Sequence, residues 1–232
     1  MMDLVELLGY YNLTRQESAL YLLLCSEGKL TGYEAAKASG ISRSNTYTAL
    51  AGLVEKGAAL VEEDTATRYL PVPVGEFCSN RIRRMQEYRE LLVGAAPKRR
   101  EAGEGYITVK GEANIMDKMK NMIDAAKERI YLAVSEQTLS LLLPQLCSAL
   151  RRELKVVVIT DPPFELEGAL VYHTETERHQ IRLIADSKSV LTGDIAAGSE
   201  STCLYSQKRN LVELFKEALK NEITLITVTK GS

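Results

Sequence analysis

The chain has no tryptophan and only two histidines, and its four cysteines are scattered through 232 residues. That leaves little material for a zinc cluster or a haem site. Cys25, Cys78, Cys147 and Cys203 form no C-x-x-C pair and lack the density of a disulfide scaffold, so they read as reduced, structural thiols. With 15 glycines and 6 prolines the chain is neither collagen-like nor of low complexity. No apolar run approaches the roughly 18 residues of a membrane span. Asp3 and Glu6 occupy the stretch where a signal peptide would carry positive charge. A cytoplasmic protein without a metal or other cofactor is expected. Charge of one sign is missing as well: 29 Lys and Arg stand against 31 Asp and Glu, a formal net charge of -2.

Hydrophobic residues make up 45% of the chain, enough to bury a sizeable core, and the length suits two small domains. Counted by segment, residues 1–74 carry six basic and nine acidic side chains, residues 75–104 seven and five, and residues 105–232 sixteen and seventeen. The middle segment stands apart as basic. These three segments are the expected domain divisions: a DNA-binding unit, a dimerisation helix with its linker, and an effector domain.

In the first segment, Thr14-Arg15-Gln16-Glu17 has the form of a capping box opening a helix whose apolar face includes Ala19, Leu20, Leu22, Leu23 and Leu24. Glu27-Gly28 ends it. The signature recurs at Thr31-Gly32-Tyr33-Glu34, which opens a short helix through Ala38 that breaks at Ser39-Gly40. Ser42 then caps a third helix, with Thr46, Leu50, Leu53 and Val54 on one side and Gly57 at its close. Two helices joined by a short glycine turn form a helix-turn-helix. The strand-like runs Ala58 to Glu62 and Arg68 to Val72, joined by Glu63 to Thr67, add a β-hairpin wing.

In a winged helix the third helix enters the DNA major groove. With Leu50 and Leu53 inward, Ser44, Asn45, Thr48 and Ala51 point away, Arg43 stands at the exposed start and Tyr47 at the rim. Arg pairs with guanine and Asn with adenine, while small and hydroxyl side chains permit close approach. Thr67 and Arg68 on the wing, with Arg15, Lys29 and Lys37, are candidates for phosphate contacts. The bland alternatives are a well-capped surface helix or a winged helix that docks protein. The net charge of -3 argues for modest DNA affinity per domain. In Phe77 to Val93, the apolar spacing of Cys78, Ile82, Met85 and Leu92 marks a narrow stripe for a partner helix, making the expected assembly a homodimer. The alternative is a helix packed on its own chain. It should stop near Gly94 to Pro97, with Lys98 to Gly105 as linker.

The series Leu13-Thr14 to Leu24, Ala35-Ala36-Lys37-Ala38-Ser39-Gly40-Ile41-Ser42-Arg43-Ser44, Tyr47, Ala49-Leu50, Leu53-Val54-Glu55-Lys56-Gly57 and Tyr69-Leu70-Pro71 resembles the N-terminal domain of TrmB-type transcriptional regulators. The likeness covers about residues 5 to 75. It implies a winged helix, a coiled-coil helix that dimerises the protein, and a C-terminal domain that binds sugars in some members. A double-stranded DNA partner and a small-molecule effector follow as expectations.

The last segment alternates helices with continuous apolar strands, an α/β domain with a sheet covered on both faces. Strands are expected at 106–109, 130–134, 154–160, 169–173, 180–185, 189–192 and 203–206, with helices at 112–128, 137–152 and 210–221 and a last strand from Thr224 to Val228. Within it, His179, Asp186 and Gly193 match the His-x-Lys-x4-Asp and Gly-Ser-x-Asn spacing of phospholipase D-like hydrolases, whose His attacks phosphorus. Here the Lys position is Ile181, the Ser position Asp194 and the Asn position Ala196, so the phosphate-binding groups are missing or carry the wrong charge. Losing the cation removes the charge stabilisation such attack depends on. The expectation is therefore a non-enzyme whose old cleft, with His179, Asp186, Tyr172 and His173, takes a small ligand. The alternatives are a phosphodiesterase using His179, or an ordinary strand histidine and hairpin turn.

Overall fold

The computed structural model describes residues 3–97, 105–174, 179–195 and 201–230. The chain divides into two compact units at the junction of Lys98 and Arg99. The expected linker falls almost wholly on 98–104, outside the described residues, as does Ala196.

The first unit runs α1 (Leu4–Tyr10), α2 (Arg15–Glu27), β1 (Leu30–Thr31), α3 (Gly32–Ser39), α4 (Arg43–Glu55), β2 (Ala59–Glu63), β3 (Thr67–Pro71) and α5 (Val74–Ala95). Both capping boxes form. The Glu17 amide donates to the Thr14 hydroxyl at 3.3 Å and the Thr14 amide to the Glu17 carboxylate at 2.6 Å. At α3 the same pair of bonds links Thr31 and Glu34 at 2.8 and 3.2 Å. Gly40, at φ 70°, adopts the left-handed conformation that ends α3. Gly57, at φ 76°, closes α4, where the Ala58 amide donates to the Leu53 carbonyl at 2.8 Å and the Gly57 amide to Val54 at 3.0 Å.

These caps deliver Leu20, Tyr21, Leu24, Leu50, Leu53 and Phe77 into one fully buried core. Tyr21 carries a polar atom into it, and its hydroxyl donates to the Val72 carbonyl at 2.7 Å. The strands form a small sheet of order β1-β3-β2, with Glu63 opposite Thr67, so the wing tip is Asp64 to Ala66, shorter than the five residues expected. The two-residue β1 and the helix α1 carry too little periodicity to stand out in the sequence. Helix α5 starts three residues earlier than expected, after Pro73, and of its 22 residues only Phe77 is buried.

The second unit runs β4 (Tyr106–Lys110), α6 (Glu112–Ala125), β5 (Arg129–Ala133), α7 (Glu136–Ser140), α8 (Leu143–Arg151), β6 (Lys155–Thr160), β7 (Leu170–His173), β8 (Gln180–Ala185), β9 (Ser189–Asp194), β10 (Thr202–Ser206) and α9 (Arg209–Lys230). Its strands form one mixed seven-stranded sheet of order β4-β10-β9-β8-β5-β6-β7, with β5, β6 and β7 parallel and the rest antiparallel. Side chains alternate across the strands. Leu132, Val158 and Leu183 face α6 and α8, while Ala133, Ile159, Ile184 and Val190 face α9.

Three local departures from expectation have physical causes. The helix expected at 137–152 is two helices, because Pro144 sits in the first turn of α8, where its missing N–H is harmless. Helix α6 stops at Ala125, and the Arg152 guanidinium takes the carbonyls of Ile123, Asp124 and Ala126 at 2.7 to 3.0 Å, satisfying its C-terminus. The strand expected from Thr224 to Val228 is helix, the last part of α9. Its β-branched composition favours a strand, but Val212, Leu219 and Ile226 repeat every seven residues and are buried against the sheet. The hydroxyls of Thr224, Thr227 and Thr229 donate to the carbonyls four residues back at 2.8 to 2.9 Å, so their polar groups are met inside the helix. No helix among the described residues is long and apolar enough to cross a membrane.

Glu17 ties this scaffold together at α2. Only 6% exposed, it accepts from the Lys56 ammonium at 2.6 Å as well as from Thr14. Burial alone would raise its pKa, but Lys56 and the Thr14 amide and hydroxyl outweigh that and hold the carboxyl below its ordinary value. The folded pKa lies below the unfolded one, so this contribution is present above about pH 4.3 and is lost as the pH falls through the depressed folded value. Glu17→Gln is expected to cost about 1–2 kcal/mol in urea unfolding at pH 7. The gap from wild type should shrink below about pH 4, measured by the same unfolding curves.

Candidate functional site

Helix α4 separates its residues sharply by exposure. Thr46, Ala49, Leu50 and Leu53 are buried, and between them Arg43, Ser44, Asn45, Tyr47, Thr48 and Ala51 are all exposed. Ser42 starts the helix by accepting the Asn45 amide at 3.4 Å. The buried Thr46 hydroxyl donates to the Ser42 carbonyl at 3.1 Å, so its polar group is met at the start of the helix.

Two aromatic side chains shape this face. The Arg43 guanidinium lies 4.7 Å from the centroid of the Tyr33 ring, a cation–π contact that restrains it at the helix start. Tyr47 lies over Gly32, where a Cβ would come within 2.3 Å of the ring, so the first residue of α3 has to be glycine for the ring to sit there. Lys37 is exposed at the end of α3, and among the described residues neither it nor Arg43 is in an ion pair.

On the wing, Thr67 is exposed and Arg68 half-buried, with Arg68 opposite Thr31 in the β1–β3 ladder. The Thr31 amide and hydroxyl hold the Glu34 carboxyl below its usual range, with Arg68 adding to the effect. Lys29, expected on phosphate, is instead ion-paired with Glu62 of β2. That pairing is invisible in the sequence, because the hairpin brings together residues 33 apart.

Helix α5 exposes Ile82, Met85, Tyr88, Leu91, Leu92 and Val93, each between 49% and 69%. Cys78 is half-buried and packs on the N-terminal core. Beside the exposed stripe a groove of about 710 Å³ opens between Tyr10, Tyr11 and Asn12 and the α5 residues Arg81, Ile82, Met85, Gln86 and Arg89.

In the second unit the four expected ligand residues do not meet. His179 precedes β8 and Asp186 follows it, so the two stand at opposite ends of that strand. Tyr172 and His173 lie on β7, separated from β8 by β5 and β6. Tyr172 faces α9, and the His173 Nε2 is bonded to the Phe164 carbonyl at 2.7 Å. The His179 Nδ1 bonds the Ile195 carbonyl at 2.9 Å, and Ile181, in the place of the hydrolase lysine, is buried in the core. The spacing match is thus one along a strand, and a strand carries its two ends far apart.

Asp186 is a structural carboxylate. It and Ser187 have φ 52° in the turn between β8 and β9, and its oxygens accept the amides of Lys127, Glu128 and Arg129 at 2.8 to 3.2 Å. Desolvation pushes its pKa up, but the three amides prevail and hold it below the usual value. The sequence signal for this role was Asp-Ser-Lys-Ser, the residue types of a tight hairpin turn.

The first unit is thus a winged helix-turn-helix with an outward polar face on α4, and the second a mixed α/β sheet domain. Residues 7–75 match the model for "Sugar-specific transcriptional regulator TrmB", and residues 105–220, half of the chain, match "Transcriptional regulator TrmB, EBD N-terminal subdomain". The chain belongs to the TrmB family of transcriptional regulators. It is 27% identical over 239 residues to the uncharacterized protein YrhO of Bacillus subtilis (strain 168), an alignment that covers 98% of this chain and 87% of YrhO. Among solved structures it is similar to TrmBL2, an archaeal chromatin protein described as showing a novel mode of DNA binding, at 21% identity and a TM-score of 0.47, covering 94% of this chain and 96% of that one. It is also similar to Nuc, a phospholipase D family member from Salmonella typhimurium, at 16% identity and a TM-score of 0.43, covering 51% of this chain and 93% of that one.

Asp186→Ala removes the acceptor of three backbone amides and is expected to destabilise the protein by about 1–3 kcal/mol, read from urea unfolding. Loss of Asp186 with stability unchanged would show that water satisfies the 127–129 amides equally well.

Proposed function

We propose that this regulator binds double-stranded DNA as a cytoplasmic homodimer, laying α4 in the major groove, and that its sheet domain senses a small ligand. The observation that carries the reading is the face of α4: six exposed side chains chosen for reach and small size, set on a buried Thr46-Ala49-Leu50-Leu53 face. Arg43 and Asn45 carry the direct base contacts, Ser44 and Thr48 allow close approach, and Tyr47 stands at the rim. Lys37, Thr67 and Arg68 take phosphates and set the register.

The first segment carries more acidic than basic side chains, so a single copy has little electrostatic hold on DNA. Two copies joined through α5 remedy this, because the second binding event becomes intramolecular. Support for such joining is the row of exposed apolar side chains Ile82, Met85 and Leu92 on α5, two of them lining the groove at Tyr10 and Tyr11. The reading excludes catalysis at His179: the cation position holds the buried Ile181, and Asp194 sits where a phosphate-binding hydroxyl belongs.

Operator fragments selected from genomic DNA test the interface. Arg43→Ala and Asn45→Ala are each expected to weaken specific binding by about 1–3 kcal/mol and to relax the preference at one base pair, while Lys37→Ala weakens all sequences alike and flattens the salt dependence. Unchanged operator affinity in the Arg43→Ala/Asn45→Ala double variant would remove α4 from the groove. Ile82→Asp/Met85→Asp is expected to convert a dimer to monomers in sedimentation equilibrium, and a wild type that sediments as a monomer would overturn the assembly.

A further inference from the structure

At the end of the seven-stranded sheet where β8 turns into β9, two cavities open on opposite faces and share Lys188 and Gln207. One, of about 260 Å³, lies between α6 and the sheet and is bounded by Lys118, Asn121, Ser189 and Tyr205. The other, of about 440 Å³, lies at the start of α9 beside Ser187 and Arg209. This is the end opposite His179, and none of the residues expected to bind ligand reaches it except Asp186, whose oxygens are occupied by three amides.

The lining has the chemistry of an anion site. Lys188 and Arg209 are exposed, and the Lys118 ammonium stands 3.7 Å from the centroid of the Tyr205 ring. Of the two carboxylates on the rim, Asp186 is held by amides and Glu213 is 3.6 Å from Lys216. Helix α9 begins here with no acidic residue in its first turn, so the positive end of its dipole meets the cavity without a carboxylate from that turn. One hydroxyl points to a missing partner. The buried Ser187 Oγ has no hydrogen-bond partner among the described residues, and the Ser189 side chain lines the α6 cavity. A buried polar group without a partner costs free energy, which a ligand oxygen would recover.

We propose that this end of the sheet binds a small phosphomonoester. Its phosphate sits between Lys188, Arg209 and the first amides of α9, and accepts from the Ser187 hydroxyl. Its hydroxyl-bearing body enters the α6 cavity, where Asn121 and Ser189 offer hydrogen bonds and the Tyr205 ring a flat apolar wall. The assignment deepens the sensing role proposed above and rests on it, placing the sensed ligand away from the cleft that the hydrolase-like spacing marks.

The test uses the full chain with glucose 6-phosphate, glucose and inorganic phosphate as probes, read by calorimetry and by the shift in Tm. Glucose 6-phosphate is expected to bind and raise Tm, more than either of the others. Lys188→Ala/Arg209→Ala should weaken that binding by roughly tenfold or more. Lys110→Ala, at the opposite end of the sheet, should leave it unchanged. Both altered side chains of the double variant are exposed, so its unliganded Tm should match wild type. No binding to wild type at millimolar probe, equal affinity in the double variant, or glucose or inorganic phosphate binding as tightly as the ester would each overturn the site. Operator affinity measured with and without the probe keeps the two readings apart: binding that leaves operator affinity unmoved supports the site and removes the sensing role.

Discussion

The buried carboxylate of Glu17 organises the first unit. It closes the N-terminus of α2, receives the ammonium at the end of α4, and occupies the space over Gly52, where a Cβ would approach its oxygen to 2.2 Å. One side chain thereby fixes the distance and rotation between two helices. Because α4 is locked on its inner side by this contact and by Thr46, Leu50 and Leu53, its outer side has one orientation available. The polar face is rigid because the buried face is.

The second unit uses the same device. Asp186 gathers three amides at the entry to β5, and Arg152 gathers three carbonyls at the exit of α6, so both sides of the α6–β5 connection are satisfied by side chains from elsewhere in the chain. Charged groups bonded to several backbone dipoles hold more strongly than neutral ones. This explains how a residue in the spacing of a catalytic motif serves as a staple: the turn needs its carboxylate, whatever becomes of the chemistry at the far end of the strand.

The chain presents three surfaces of different character. The outward face of α4 is polar. Helix α5 exposes a row of apolar side chains. The end of the sheet at Lys188 is concave, with Lys188 and Arg209 on its rim.

Helices α2, α3 and α4 were legible residue by residue because their determinants are local: a capping box spans four residues, a glycine terminator one, and the exposure of α4 follows from the 100° step between successive residues. The sheet of the second unit was legible as a set of apolar runs for the same reason. Long-range pairing was not. The Lys29–Glu62 ion pair, the separation of His179 from Asp186, and the burial that turns Thr224 to Val228 into helix all depend on which segments the fold sets side by side. Propensity and motif spacing act along the chain, whereas packing and electrostatics act across it, so the amino-acid order determined the elements and the caps, and the tertiary structure alone decided which side chains share a site.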